Sequence, residues 1–366
     1  MSNQIIKDSE YTQWIARVVD DFKRCQIQAA LRVNGELLQF YWNMGRDIES
    51  RQMDNRYGTQ FYANASRDIR SRLNQVRGLS ETNIRYTKRF YCLYSQLFGN
   101  IQQPAEELGN SPKGQNLQQP AEEFRILFSI PWTHHLYIID KTKGNAEKAW
   151  FYVQQTLANN WSRSVLLNFL STDLYERQGK SITNFQRTLP SIQGDLAQQM
   201  SKDPYCFDVL SQTTEYTEKE LKDALEDNVQ KMLLELGKGF AYMGREVRID
   251  IGGVEKFMDM LFYCVPLHSY VVVEIKTDKF DSENLGQLGT YVVAVNHQLN
   301  TEGDNPAIGL LICKEKNNIL AKYALESMSQ PLGISEYALT KVYPEKFTSS
   351  LPSIEDIENS LNDSTK

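Results

Sequence analysis

Three charged side chains interrupt the apolar stretch FMDMLFYCVPLHSYVVVEIKTDKF at residues 257–280: Asp259, Glu274 and Lys276. Charged groups rarely enter buried sheet without a partner, because an unpaired ion is costly to desolvate. The two apolar runs flank Val265-Pro266-Leu267-His268, which reads as the turn of a β-hairpin. Setting Cys264 against Ser269 across that turn puts Asp259 opposite Glu274. Directly opposed residues in antiparallel strands have Cβ atoms about 4.5–5.5 Å apart. A bulge would slip this register by one residue. Two carboxylates so close repel each other unless a cation lies between them.

Glu274 and Lys276 are two apart on one strand and share a face, while Val271, Val273 and Ile275 take the other face and are expected to pack under a helix. Oxygen-only ligands in this number suit Mg²⁺ or Mn²⁺, which keep several waters and bind substrate phosphates. Such an ion lowers the pKa of its water and neutralises charge on a phosphorane-like transition state. Lys276 is placed to orient that water or share the charge. The alternative is an ordinary Glu274–Lys276 ion pair at a sheet edge. Asp/Glu-x-Lys occurs at Asp21, Glu220 and Glu274, so the triplet alone says little. Only the third sits in a β-branched strand whose hairpin partner supplies an aspartate.

On the helix expected after this hairpin, Gln287 and Tyr291 are i and i+4 and share a face. The Gln287 amide could hold a phosphate oxygen or the attacking water. Tyr291 could contact the cleaved strand or simply pack into the core. On the helix before the sheet, Glu235 is the acid expected to complete the ligand shell, with Glu220 and Glu226 as competitors.

Periodicity supplies the elements that would hold these residues. TEKELKDALEDNVQKMLLELGKGF has the pattern of one amphipathic helix ending at Gly237 and Gly239. AYMGREVRIDIGG, VEKFMDMLFYC and SYVVVEIKT follow as strands, then a helix in DSENLGQLGTYVVAVNHQLN. A strand in AIGLLICKE and a helix in NILAKYALESMS complete a compact α/β domain at 216–345.

The N-terminal hundred residues are helical in pattern, with Gly45 as a break, and differ in charge from the rest. They hold 15 Lys and Arg against 10 Asp and Glu, a net of +5; the chain totals −6, so the remainder carries −11. Seven basic residues lie between Arg67 and Arg89 against two acidic ones. Within RDIRSRLNQVRGLSETNIRYTKRFYCLY a helix ends near Gly78 and Ser80 can cap the next. Two helices joined by a short Gly-containing turn match a helix-turn-helix or winged-helix-like unit. Arg70, Arg72, Arg77, Arg85, Lys88 and Arg89 could then neutralise DNA phosphates while Tyr86, Phe90 and Tyr91 pack inward. The alternative is a solvated basic face on a helical hairpin.

QQPAEE occurs at 102–107 and again at 118–123, marking 101–123 as an insertion or linker. Residues 124–210 form a helical middle region, with a break at Asn159–Asn160 and Ser162 able to cap the following helix. His134 and His135 are expected to be packing residues. The tail 346–366 is acidic and Ser-rich, with the composition of disorder. No apolar run of about 18 residues exists and the N-terminus lacks an apolar signal core, so a cytoplasmic protein without membrane spans is expected. Cys25, Cys92, Cys206, Cys264 and Cys313 form no CxxC pair, against a disulfide framework or structural zinc.

Asp259…Glu274-x-Lys276 followed by Gln287-xxx-Tyr291 resembles the PD-(D/E)XK nuclease superfamily in its branch with a QxxxY helix. LLELGKGFAYMGREVRIDIGG, FMDMLFY, VVVEIKTDKF, LGQLGTYV and NPAIGLLICK resemble the YhcG family within it. YGTQFYANASRDIRSRL, GLSETNIRYTKRFY, NNWSRSVL and KDPYCFDVL extend the resemblance through the N-terminal domain. Met258 stands where the superfamily motif has Pro. The resemblance implies a restriction-endonuclease-like fold and a metal-dependent DNA nuclease with an N-terminal helical DNA-binding domain. Asp259 and Glu274 become metal ligands and Lys276 the catalytic lysine. The fold expected is α+β and multidomain. The function expected is Mg²⁺- or Mn²⁺-dependent hydrolysis of DNA phosphodiesters in genome defence or DNA processing. A homodimer would supply the two sites a duplex cut needs. The alternatives are a catalytically inactive nucleic-acid binding module and an assembly subunit for restriction-system proteins.

Overall fold

A computed structural model of the chain describes residues 9–73, 78–98, 118–208 and 217–340. One compact unit ends at Leu170 and a second runs over Ser171–Glu345. That division falls inside the 124–210 segment. Arg77, the first QQPAEE copy and the 346–366 tail lie outside the described residues.

Among the described residues the first unit is all helical: α1 (Ser9–Ser50), α2 (Met53–Tyr57), α3 (Phe61–Arg72), α4 (Glu81–Phe98), α5 (Gln118–Leu127), α6 (Trp132–Thr142), α7 (Ala146–Asn159) and α8 (Arg163–Ser171). Gly45 does not break α1. A Cβ there would stand 2.1 Å from the Thr87 carbonyl oxygen, so this glycine lets α1 and α4 approach closely. Between α3 and α4, Gly78 takes φ 93° and its carbonyl accepts from Tyr41 Oη at 3.2 Å. Ser80 Oγ accepts from the Asn83 N–H at 3.2 Å, the cap expected from sequence. Ser162 Oγ likewise accepts from the Val165 N–H at the start of α8. The second QQPAEE copy is the start of α5 rather than linker, its proline tolerated in the first turn. His135 is buried, with Nε2 against Leu127 O and Nδ1 against Tyr94 Oη; His134 contacts Trp161 O.

The second unit contains α9 (Leu174–Arg177), β1 (Ile182–Thr183), α10 (Phe185–Thr188), α11 (Ser191–Met200), β2 (Tyr205–Asp208), α12 (Glu218–Asp227), α13 (Val229–Leu236), β3 (Phe240–Ile251), β4 (Val254–Cys264), β5 (Ser269–Lys279), α14 (Glu283–Gln298), β6 (Ile308–Glu315), α15 (Asn318–Glu326) and β7 (Leu332–Thr340). The sheet order is β1-β7-β6-β5-β4-β3, with β2 also paired to β7. β3, β4 and β5 form an antiparallel meander, and β5, β6 and β7 are parallel, as helical crossovers require. The predicted single helix over 217–239 is two. Asn228 leaves helical geometry at φ −118°, ψ 37°, and its side-chain amide donates to Ala224 O, a local bond that competes with the helix.

Apolar layers cover both faces of the sheet. Val271, Val273 and Ile275 pack with Leu221, Leu225, Met232 and Leu236 of α12 and α13. Val272 packs on the other face with Leu285, Leu288, Val292 and Val295 of α14. β5 is therefore buried on both sides, which is why VVVEI reads as a continuous apolar run broken only by Glu274.

Candidate active site

The hairpin register is the expected one: Cys264 pairs with Ser269, and the ladder continues to Met260 opposite Val273. Past that pair the backbone ladder stops and the carboxylates take over. The Asp259 N–H donates to Glu274 Oε1 at 3.1 Å, and Asp259 Oδ2 accepts from the Ile275 N–H at 3.0 Å. Each acid thus has one oxygen fixed by a main-chain N–H. On the other side of β4, the ladder passes from Arg245–Met260 to Val247–Met258, and the skipped residue opposite Asp259, Glu246, sits at φ 46°. Met258 packs with Leu261 on the α14 face instead of alternating with it, so β4 is irregular around Asp259.

The other oxygens face ammonium groups. Lys276 Nζ is 3.9 Å from Glu274 Oε2, and Lys222 Nζ is 2.5 Å from Asp259 Oδ1. Glu218 joins the two lysines, its Oε1 accepting from Lys222 at 2.6 Å and from Lys276 at 3.0 Å. Three carboxyl groups and two ammoniums thus converge where α12 meets the fork of β4 and β5. Asp259 and Glu274 are 8% and 2% exposed. Burial and the neighbouring Asp259 carboxylate push Glu274 up to about 8. Burial also works against charge on Glu218, but hydrogen bonds from Lys222 and Lys276 outweigh it and hold Glu218 below the usual range. Burial likewise opposes charge on Lys222, and the bonds to Asp259 and Glu218 override it and raise its pKa.

Glu218 and Lys222 are the residues sequence reasoning missed. Glu218, Lys222 and Leu225 are i, i+4 and i+7, so a charged pair shares a helical stripe with a core leucine; that was the available signal. The acids weighed for this role are engaged elsewhere. Glu220 closes a capping box with Thr217, and Glu226 pairs with Arg245. Glu235 is not at the fork: both of its oxygens meet the Arg177 guanidinium and Oε1 also accepts from the Cys206 N–H. Gln287 Nε2 donates to Tyr291 Oη at 2.8 Å, and Tyr291 Oη donates to Phe257 O at 3.1 Å. That pair braces the main chain two residues before Asp259, and Tyr291 itself is buried.

Among the described residues no three His, Cys, Asp or Glu side chains are grouped to hold a metal. The donor chemistry nevertheless fits Mg²⁺ or Mn²⁺: two carboxylates each keep an oxygen turned to a cation, and such ions complete their shells with waters and substrate phosphate.

The basic candidates in the helical unit divide sharply. Lys88 is held by Asp54 at 2.7 Å and Glu49 at 3.1 Å. Arg85 pairs with Glu81 and lies over the Tyr62 ring; Arg89 pairs with Asp140 and lies over the Tyr86 ring. Arg70 and Arg72 are exposed in the last turn of α3 and make no ion pair among the described residues. Arg70 and Arg67 line a cleft with Ser80 and Glu81.

No described helix is long and apolar enough to cross a membrane. The protein named "Putative nuclease YhcG" of Escherichia coli (strain K12) is 28% identical over 327 residues, covering 84% of each chain. Two solved structures align more distantly. One is a repair endonuclease from Pyrococcus abyssi at 22% identity, covering 36% of this chain and 50% of that one, with a TM-score of 0.25. The other is EndoMS in apo form at 22%, covering 37% and 49%, with a TM-score of 0.23. This chain therefore spans about half the length of each solved structure. The YhcG PDDEXK nuclease domain matches residues 198–352 and the DUF1016 N-terminal domain matches residues 17–177. In both parts the chain is therefore similar to YhcG PDDEXK nuclease-domain proteins.

Proposed function

We propose that this protein is a divalent-metal-dependent deoxyribonuclease acting in genome defence or DNA processing, with Asp259 and Glu274 as metal ligands and Lys276 as the catalytic lysine. The observation that carries the reading is the fork. Asp259 and Glu274 are pinned by each other's strand, and each has its second oxygen beside a lysine ammonium, Lys222 for Asp259 and Lys276 for Glu274. A bound Mg²⁺ or Mn²⁺ supplies an activated water and neutralises charge on the phosphate. Lys276 orients the attacking water and shares the developing charge. Glu218 holds Lys276 in place and is the helix-borne acid of the site. Gln287 and Tyr291 keep the Phe257–Asp259 main chain in position. The helical unit supplies affinity for DNA phosphates, through arginines such as Arg70 and Arg72 that make no ion pair among the described residues.

One observation favours the second reading, a nucleic-acid binding module without catalysis. The second oxygens of Asp259 and Glu274 already face lysine ammoniums, so most of the cluster's negative charge is balanced without an ion. Plasmid DNA incubated with Mg²⁺ separates the two. Nicking or linearisation by the wild type, lost in Lys276→Ala with the circular dichroism spectrum intact, supports the nuclease. Equal cleavage by Lys276→Ala removes the assignment. Salt-dependent binding without cleavage, unchanged in Asp259→Asn, establishes the binding module.

A further inference from the structure

Asp259 Oδ2 is committed to the Ile275 N–H, so Oδ1 is the oxygen it can offer a metal. That same atom is 2.5 Å from Lys222 Nζ. A divalent ion of this class binds a carboxylate oxygen at about 2.0–2.1 Å. An ammonium and a metal cannot both hold Oδ1 at contact distance from the same side. Lys222 has an alternative anchor one helical turn away, since Glu218 Oε1 accepts from it at 2.6 Å and both residues stand on α12. The side chains of Lys222 and Asp259 are each 11% exposed, so water screens this contact weakly.

We propose that Lys222 is a built-in counter-cation that competes with the divalent metal for Asp259 Oδ1 and so sets the metal affinity of the site. This rests on the reading of Asp259 and Glu274 as metal ligands. Lys222 holds Asp259 against Glu218 without an ion, and the metal binds by displacing its ammonium toward Glu218. Lys276 does not play this part: its closest acid is Glu218, and it stands 3.9 Å from Glu274. The site would accordingly load only when the ion is abundant or when a substrate phosphate adds ligands.

The test is titration of the full-length protein with Mn²⁺ alone, free ion being read by electron paramagnetic resonance and folding by thermal melts in chelator. A charge-assisted contact of this kind corresponds to about a tenfold to hundredfold change in equilibrium constant. Lys222→Met is expected to bind Mn²⁺ about tenfold or more tighter than wild type, and to melt at a lower temperature in chelator. Lys222→Arg keeps the cation and is expected to stay near the wild-type affinity. Lys222→Gln, which retains a hydrogen-bond donor without the charge, serves if the Met variant does not fold and is expected to bind more tightly as well. Unchanged or weaker Mn²⁺ binding in the folded, uncharged variant overturns the proposal. Asp259→Asn identifies which reading has failed. If it binds Mn²⁺ like wild type, Asp259 is not a ligand and the metal reading falls first; if it loses binding, the failure belongs to Lys222 alone.

Discussion

The main-chain N–H of Asp259 donates to the side chain of Glu274 at 3.1 Å, while Asp259 Oδ2 accepts from the residue after Glu274. The two acids therefore lock adjacent strands where backbone pairing ends. Neither can turn without freeing a buried N–H, which costs about 1–3 kcal/mol. Their second oxygens hold direction as a result, and preorganised direction is what a metal or phosphate site requires.

Glu235→Gln separates architecture from chemistry. The Arg177 and Glu235 side chains are 4% and 1% exposed and face each other. Removing one charge from such a pair is expected to cost about 3–5 kcal/mol of stability. Chemical denaturation should show that loss, while Mn²⁺ affinity per folded molecule stays at the wild-type value. A specific loss of metal binding in a stable variant would restore Glu235 as a ligand.

Tyr291→Phe removes the hydroxyl between Gln287 and Phe257. The expected loss of stability is about 1 kcal/mol. Cleavage should fall much less than in Lys276→Ala, because the hydroxyl is engaged with Gln287 and the Phe257 main chain. Equal losses in the two variants would put Tyr291 in the chemistry.

Arg70→Ala and Arg72→Ala are expected to weaken binding of any duplex sequence and to reduce the slope of log affinity against log salt by about one each. Lys88→Ala should act differently, since Asp54 and Glu49 already neutralise that charge. Its effect is expected in the melting temperature, with the salt slope preserved. Fluorescence anisotropy at several salt concentrations reads both.

Acid should loosen the helical unit through His135. Burial, partly offset by the hydrogen bond at Leu127 O, pushes that imidazole down to about 3 from its usual 6.5. The unfolded chain therefore binds the proton first as pH falls. Stability from the neutral ring is present above about pH 6.5 and is lost progressively toward about pH 3, by on the order of a few kcal/mol. Melts of wild type and His135→Gln between pH 7 and 4 should show a steeper decline in the wild type. Parallel curves would count against it.

What the sequence carries depends on how local each determinant is. The turn Val265–His268 and the period-two strands set the hairpin register as far as Met260 and Val273, so the meeting of Asp259 and Glu274 just beyond it is legible from spacing. The helix-borne acid is not. Glu218, Glu220, Glu226 and Glu235 look alike on one periodic run, and their fates are decided by the Thr217 capping box, the break at Asn228 and the arginines Arg245 and Arg177. β7, LGISEYALT, is also hidden, because a Gly- and Glu-containing run becomes strand through pairing with β6. Gly45 reads as a breaker, yet its role depends on Thr87 of another helix.

Crystals soaked in Mn²⁺ and examined by anomalous scattering test the central claim most directly. The expected result is a peak in contact with Asp259 Oδ1 and the second oxygen of Glu274, with the Lys222 ammonium moved away. A map with no peak at the fork, and both carboxylates still held by Lys222 and Lys276, would contradict it.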